Sequence, residues 1–335
     1  MSTVEVRVGN ATAGVVLVAL LAVICVASIA LGARSIPLGV VWDALFHPTA
    51  APDQLIVRSL RVPRTLLGVL AGLALGAAGA LMQGHTRNPL ADPGLLGVTQ
   101  GAAFAVVLAV VVFGIDDLYA FIWFGFAGAL VASAVVFLLG AVGGRGATPV
   151  TLALAGAAVS ALLNGVISAI VLGDDRGMET YRFWHVGSIA GRDPAMIGQI
   201  APFVAVGLLL AVINTPGMNT LALGDDVAVA LGRRVGRTRL LGVAAITLLT
   251  GAAVAACGPI AFLGLLVPHF ARAISGPDYR WLVPFSAVLG AILLLAADLL
   301  GRVVASDSLE VGIMLAVLGV PVFVHLVRKK GLARI

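Results

Sequence analysis

Ten times along this 335-residue chain an apolar run approaches or reaches the roughly 20 residues that a helix needs to cross a bilayer, and that repetition leaves few folds open. The runs lie at roughly 13–33, 64–84, 95–114, 118–141, 149–172, 195–213, 237–257, 259–275, 281–301 and 309–327. Composition agrees, with 60% hydrophobic and only 11% charged residues and a mean hydropathy of +1.10. The first run follows a single basic residue, Arg7, and has no clean small-residue cleavage site, so it reads as a retained span and not a signal peptide. The sequence therefore predicts one all-α polytopic membrane domain over residues 1–335, with ten transmembrane helices.

The punctuation between runs carries further information. The third and eighth open on NPLADPGLLG and GPIAFLGLL, where Pro and Gly break a helix and free backbone groups that need new partners, as happens beside a cavity or an interface. With the N-terminus inside, the inner segments hold 13 of the 21 Lys and Arg and the outer ones 8, which places both termini in the cytosol. Residues 214–236 then form a cytosolic loop whose segment Gly224–Gly232, GDDVAVALG, reads as a short helix. Asp225 and Asp226 suit the positive end of its dipole and Gly232 its stop. About two turns do not persist alone, so something holds this helix. Val227, Ala230 and Leu231 make its small apolar face, which rests either on lipid and the bundle or on a cytosolic partner.

A faint repeat pairs RTLLGV (64–69) with RTRLLGV (237–243) and PLADPGLL (89–96) with PIAFLGLL (259–266). Five spans per half would make the halves inverted, an architecture of transporters. Several chemistries are missing. Lysine occurs only at Lys329 and Lys330, so no phosphate loop ending in Gly-Lys-Ser/Thr can form, and any ATP hydrolysis belongs to another subunit. The histidines, His47, His85, His185, His269 and His325, are too far apart for a local His-x-x-x-His metal site. Cys25 and Cys257 lie far apart in apolar runs and give no disulfide framework. There is no Gly-x-Ser-x-Gly elbow, and Asp116/Asp117 and Asp174/Asp175 read as solvated loop acids. No ionisable residue is convincingly mid-span, which disfavours an ion-coupled secondary transporter. Asp298 comes nearest, four residues before Arg302 at the spacing of a helical ion pair.

Four stretches in order, RVPRTLLGVLAGLALGAAGALMQGHTRNPLADPGLLGVTQGA (61–102), LALGDDVAVALG (221–232), GPIAFLGLLVPHFAR (258–272) and GVPVFVHLVRKK (319–330), resemble the FecCD-type permeases of bacterial type II ABC importers. That family imports ferric siderophores, haem and cobalamin. The resemblance implies a ten-span permease subunit of the inner membrane, itself no enzyme. It would work with a second permease subunit, two cytosolic ATPases that use ATP and Mg, and an extracytoplasmic binding protein. The chain itself would bind no cofactor and no nucleic acid. Family frequency favours a ferric siderophore as substrate, with haem and cobalamin as alternatives.

Residue by residue, the resemblance makes 225–231 a coupling helix seated in the ATPase. It puts Asn88 and Leu90 at an inner constriction with Thr148 near the other gate loop, although Pro149 stands where several relatives carry a polar residue. Asn88 also reads as a helix C-cap before Pro89. Tyr181, Trp184 and His185 fall near the outer mouth, either touching substrate or sitting at the membrane interface as aromatic residues do. Arg61 and Arg64 lie at an outer helix start, against both the positive-inside bias and the helix dipole, so an external anion is expected there. Lipid phosphate is one candidate. The family offers another, with Arg61, Arg64 and Arg302 receiving acidic side chains of the binding protein.

Overall fold

The computed structural model describes residues 9–32, 34–115, 118–142, 148–304 and 309–328, and among them every regular element is helical. The chain runs from α1 (Asn10–Ala30) to a short α2 (Leu38–Phe46). Then α3 (Pro52–Ile56), a π turn (Val57–Arg61) and α4 (Val62–Thr86) form one continuous helix. A 3-10 turn (Pro93–Leu96) introduces α5 (Val98–Val111), followed by α6 (Leu118–Ala141), α7 (Pro149–Val171) and the short α8 (Asp175–His185). The rest comprises α9 (Ala195–Leu221), α10 (Asp225–Ala230), α11 (Val235–Cys257), α12 (Leu263–Ser275), α13 (Tyr279–Val304) and α14 (Val311–Arg328). Asp116, Asp117, Lys329 and Lys330 lie outside the described residues.

Seven helices are long and apolar enough to cross a membrane: α1, the 52–86 helix, α6, α7, α9, α11 and α13. The apolar helices α5, α12 and α14 are shorter. Each of the ten apolar runs falls on one of these. The largest departure is α9, which passes the expected stop at 213 and continues to Leu221 with Pro216 inside it, so residues 214–221 belong to a helix and not to the loop. Proline deprives the carbonyl four residues back of its usual donor. Here that carbonyl is Val212's, and the Thr215 hydroxyl donates to it at 2.8 Å. The helix therefore continues where the sequence reads as a break.

Helix packing rests on small residues. Gly68, Gly72 and Gly76 recur every four residues along α4; the last two let α13 come to backbone contact, and Gly68 makes room for the side chains of Leu294 and Leu295. A Cβ at Gly72 would sit 2.6 Å from the amide nitrogen of Ala291, and one at Gly76 would sit 2.8 Å from the carbonyl carbon of Ser286. α4 and α11 are the most deeply buried spans, while α1 and α7 lie at the rim. Both foreseen breaks are present. Arg87 closes α4 in the left-handed conformation, and Gly258, at φ 74°, closes α11. The two broken segments touch, with Pro93 Cδ 2.8 Å from where a Cβ of Gly264 would be.

Candidate coupling, gating and docking sites

At the end of the bundle where α4 stops and α11 starts, α10 stands on a two-armed support. Gly224, at φ 112°, turns the chain into the helix, and Gly232, at φ 76°, turns it out. Asp225 is gripped from both sides: Arg87 pairs with Oδ1, and Arg239 Nη2 pairs with Oδ2 at 2.6 Å. Arg87 also donates to the Leu221 carbonyl at 2.8 Å, closing the end of α9 onto the same group. Ala228 is buried beneath α10, whereas Val227, Ala230 and Leu231 are exposed, as is Asp226. Leu223 and Val229 extend the exposed apolar face beyond the residues read from sequence. Isolated, this face and a six-residue helix would be unstable. The ion pairs explain what holds the helix to its own chain and leave the face available to another.

The same end carries a second clasp. Asn219, near the end of α9, donates to Asp278 Oδ1 at 2.7 Å and accepts from the Tyr279 backbone nitrogen at 2.9 Å. Hydrogen bonds from Arg280 hold the Asp278 carboxyl well below the usual carboxylate range.

The expected gate residues stand on two separate turns. The left-handed cap of α4 is Arg87, so Asn88 is not the C-cap. Its side chain instead accepts from the Leu90 nitrogen at 2.9 Å, setting the turn that aims Leu90. Asn88 is exposed and Leu90 half-buried. Thr148 is the N-cap of α7, its hydroxyl accepting from the Thr151 nitrogen at 3.2 Å, with Pro149 in the first turn where a missing N–H costs nothing. Residues 143–147, which precede it, lie outside the described residues, and among those described no hydrogen bond joins Thr148 to Asn88 or Leu90.

At the opposite end, the three arginines come together as expected but turn inward. Arg61 donates to the carbonyls of Ile29 at 2.8 Å and Ala30 at 2.7 Å, and also to that of Arg34. The last carbonyls of a helix have no intrahelical donor, and at this end of α1 Arg61 supplies one to Ile29 and joins the Ile36 nitrogen on Ala30. Arg302 donates to Ser28 O at 2.9 Å, Ser28 Oγ at 2.7 Å and Asp298 Oδ2 at 2.6 Å. Arg64 reaches the same carboxylate, with Nη2 2.6 Å from Oδ1. Asp298 is fully buried, Arg61 and Arg302 nearly so, while the Arg64 side chain keeps 16% of its surface. Within this chain Arg61 thus serves the end of α1, and Arg302 serves α1 and Asp298.

The α8 trio divides. Tyr181 stacks on His185 at 4.9 Å between ring centroids, with Tyr181 half-buried and His185 exposed. Trp184 instead points into the core at 4% exposure. Its carbonyl accepts from the Gly187 nitrogen at 3.3 Å and lies against Gly258, so α8 is docked on the α11 break.

This arrangement is a helical membrane bundle with a short, exposed apolar helix at one end and two broken segments in contact. The description of the FecCD transport family matches residues 20–329. The chain belongs to that family. It is a multi-pass membrane permease and not an enzyme. It is 45% identical over 326 residues to the ferric enterobactin transport system permease protein FepD of Escherichia coli (strain K12), covering 97% of this chain and 98% of the relative. It is 37% identical to the cobalamin import system permease protein BtuC of Halobacterium salinarum, covering 91% of this chain and 85% of that one. Among solved structures, one described as a metal-chelate type ABC transporter in an inward-facing conformation aligns with a TM-score of 0.85 at 27% identity, over 95% of this chain and 99% of its own. The matched residues of this FecCD member take in the Gly224–Gly232 segment, both helix breaks and the arginine cluster.

Proposed function

We propose that this FecCD permease is the ten-span membrane subunit of an ATP-driven importer that moves an iron–siderophore complex from an extracytoplasmic binding protein into the cytosol. Both termini lie on the cytosolic side, α5, α12 and α14 complete the spans, and the two halves are inverted repeats. Two ATPase subunits and a second permease subunit complete the machine; the chain binds no cofactor, and ATP and Mg act in the ATPases. The observation that carries this reading is the exposed face of Val227, Val229, Ala230 and Leu231 on a helix pinned through Asp225. Asn88, Leu90 and Thr148 form the inner gate, and Tyr181 and His185 border the outer mouth. The binding protein docks at the arginine end, where Arg64 is the accessible member and Arg61 and Arg302 keep the platform in shape.

Placing a charge on the docking face tests the coupling role. Ala230→Glu is exposed in the free chain and leaves its fold unchanged, so the variant should be monodisperse with wild-type thermal stability yet fail to copurify with the ATPase. A complex that survives the change with normal binding-protein-stimulated hydrolysis would refute the docking role. The substrate class rests on the named activity of the ferric enterobactin relative, and the cobalamin relative favours a second reading. Uptake of radiolabelled ferric siderophore and of radiolabelled cobalamin in a strain carrying only this system separates the two.

A further inference from the structure

The two helix breaks do more than touch: they share a cavity of about 280 Å3. Asp92, Thr99 and Gln100 line it from the first break, Pro259 from the second, Ser160 from α7 and Thr250 from α11. The groups facing it are oxygens in need of a positive partner. Asp92 Oδ1 accepts one hydrogen bond, from the Gly94 nitrogen at 2.8 Å, and no ion pair reaches this carboxylate among the described residues. Gln100 Oε1 is buried with no partner. So is Thr250 Oγ1, on a residue only 2% exposed. A carboxylate and a carboxamide oxygen can only accept, and leaving such groups buried and unmatched is costly.

We propose that this cavity binds a hydrated monovalent cation, sodium in the first instance, held by Asp92, Gln100 and Thr250 between the two helix breaks. One carboxylate among neutral oxygens suits a single positive charge, whereas tight divalent sites gather several carboxylates. No group of three or more His, Cys, Asp or Glu occurs among the described residues, in keeping with that choice. Each water occupies about 30 Å3, so the space admits an ion with part of its shell. Unwound segments of broken membrane helices are the usual setting for such ions, because their freed carbonyls add further oxygens. The ion here is a fixture that braces two breaks, not a transported coupling ion.

The test is a thermal unfolding titration of the full-length permease in lipid nanodiscs, with sodium chloride replacing choline chloride at constant ionic strength and pH. Ligand binding to the folded state alone raises stability with the logarithm of ligand concentration. The wild type should gain several degrees in Tm across the titration, and Asp92→Asn and Thr250→Val should each abolish the gain. Ser59→Ala, at the opposite end of the bundle, should keep it. If Asp92→Asn fails to fold, the wild-type titration and Thr250→Val still decide. A wild-type Tm indifferent to the sodium-for-choline exchange overturns the proposal, as does an equal gain in the variants. A Tm that follows pH with no sodium dependence also overturns it and gives the carboxylate a proton instead.

Discussion

One buried carboxylate organises an entire end of this bundle. Asp298 receives Arg64 from α4 and Arg302 from its own helix, and Arg302 in turn donates to Ser28 on α1, which shares a 2.9 Å hydroxyl bond with Thr65. Removing one partner of a buried pair strands the others, at a cost of about 3–5 kcal/mol. Asp298→Leu should therefore lower thermal stability severely, and adding Arg302→Met should recover part of the loss, because side chains in one network do not add. Unfolding of the three variants in the same detergent measures this; strictly additive losses would mean the cluster is not a unit. The sequence showed half of it. Four-residue spacing made the Asp298–Arg302 pair legible, and the 2.6 Å contact in the fold bears it out. Arg64 lies 234 residues away, so nothing local announced that it shares this carboxylate. An outward reading of the arginines followed from counting charges against the dipole without knowing that partner. Arg87 and Arg239 escaped notice for the same reason: each meets Asp225 only through the fold.

Hydropathy and helix breakers located the helices well because the bilayer length and the lost donor of proline are local facts. α6 spans the residues expected of it, and the breaks after α4 and α11 occur where Pro and Gly mark them. α9 shows what such a reading misses. Pro216 marks a stop only if the Val212 carbonyl goes unanswered, and the neighbouring Thr215 hydroxyl answers it. Thr215→Val should cost about 1–3 kcal/mol, the usual penalty for a buried acceptor left without a donor. In a Pro216→Ala background the backbone donor returns, so the same change should cost clearly less. A thermal double-mutant cycle reads the difference, and equal costs in both backgrounds would show that Thr215 matters for another reason. The outcome also bears on the α10 end, since α9 runs on past this point to Leu221 and Arg87 docks on that residue.

At the scale of the molecule, the chain buries α4 and α11 and leaves the rim helix α7 largely uncovered, with Val150, Leu154 and Leu162 exposed. A second permease subunit along that rim would bring the two copies of the 88–90 turn and the α7 N-terminus toward a shared axis. Cysteines at Leu90 in both subunits should then crosslink more in one nucleotide state than in another. Equal yields in every state, or none, would count against a moving constriction at this position. The grip on Asp225 gives such motion a route. One arginine caps the end of α4 and the other lies near the start of α11, so pushing or pulling α10 loads both shafts at once. From Arg239 to the break at Gly258 is 19 residues, about 28 Å of α-helix at 1.5 Å per residue, whereas Arg87 stands directly at the mouth of its own break. The knob is thus the handle of a lever with one long arm and one short, and an equal stroke at the handle arrives at the two breaks out of step.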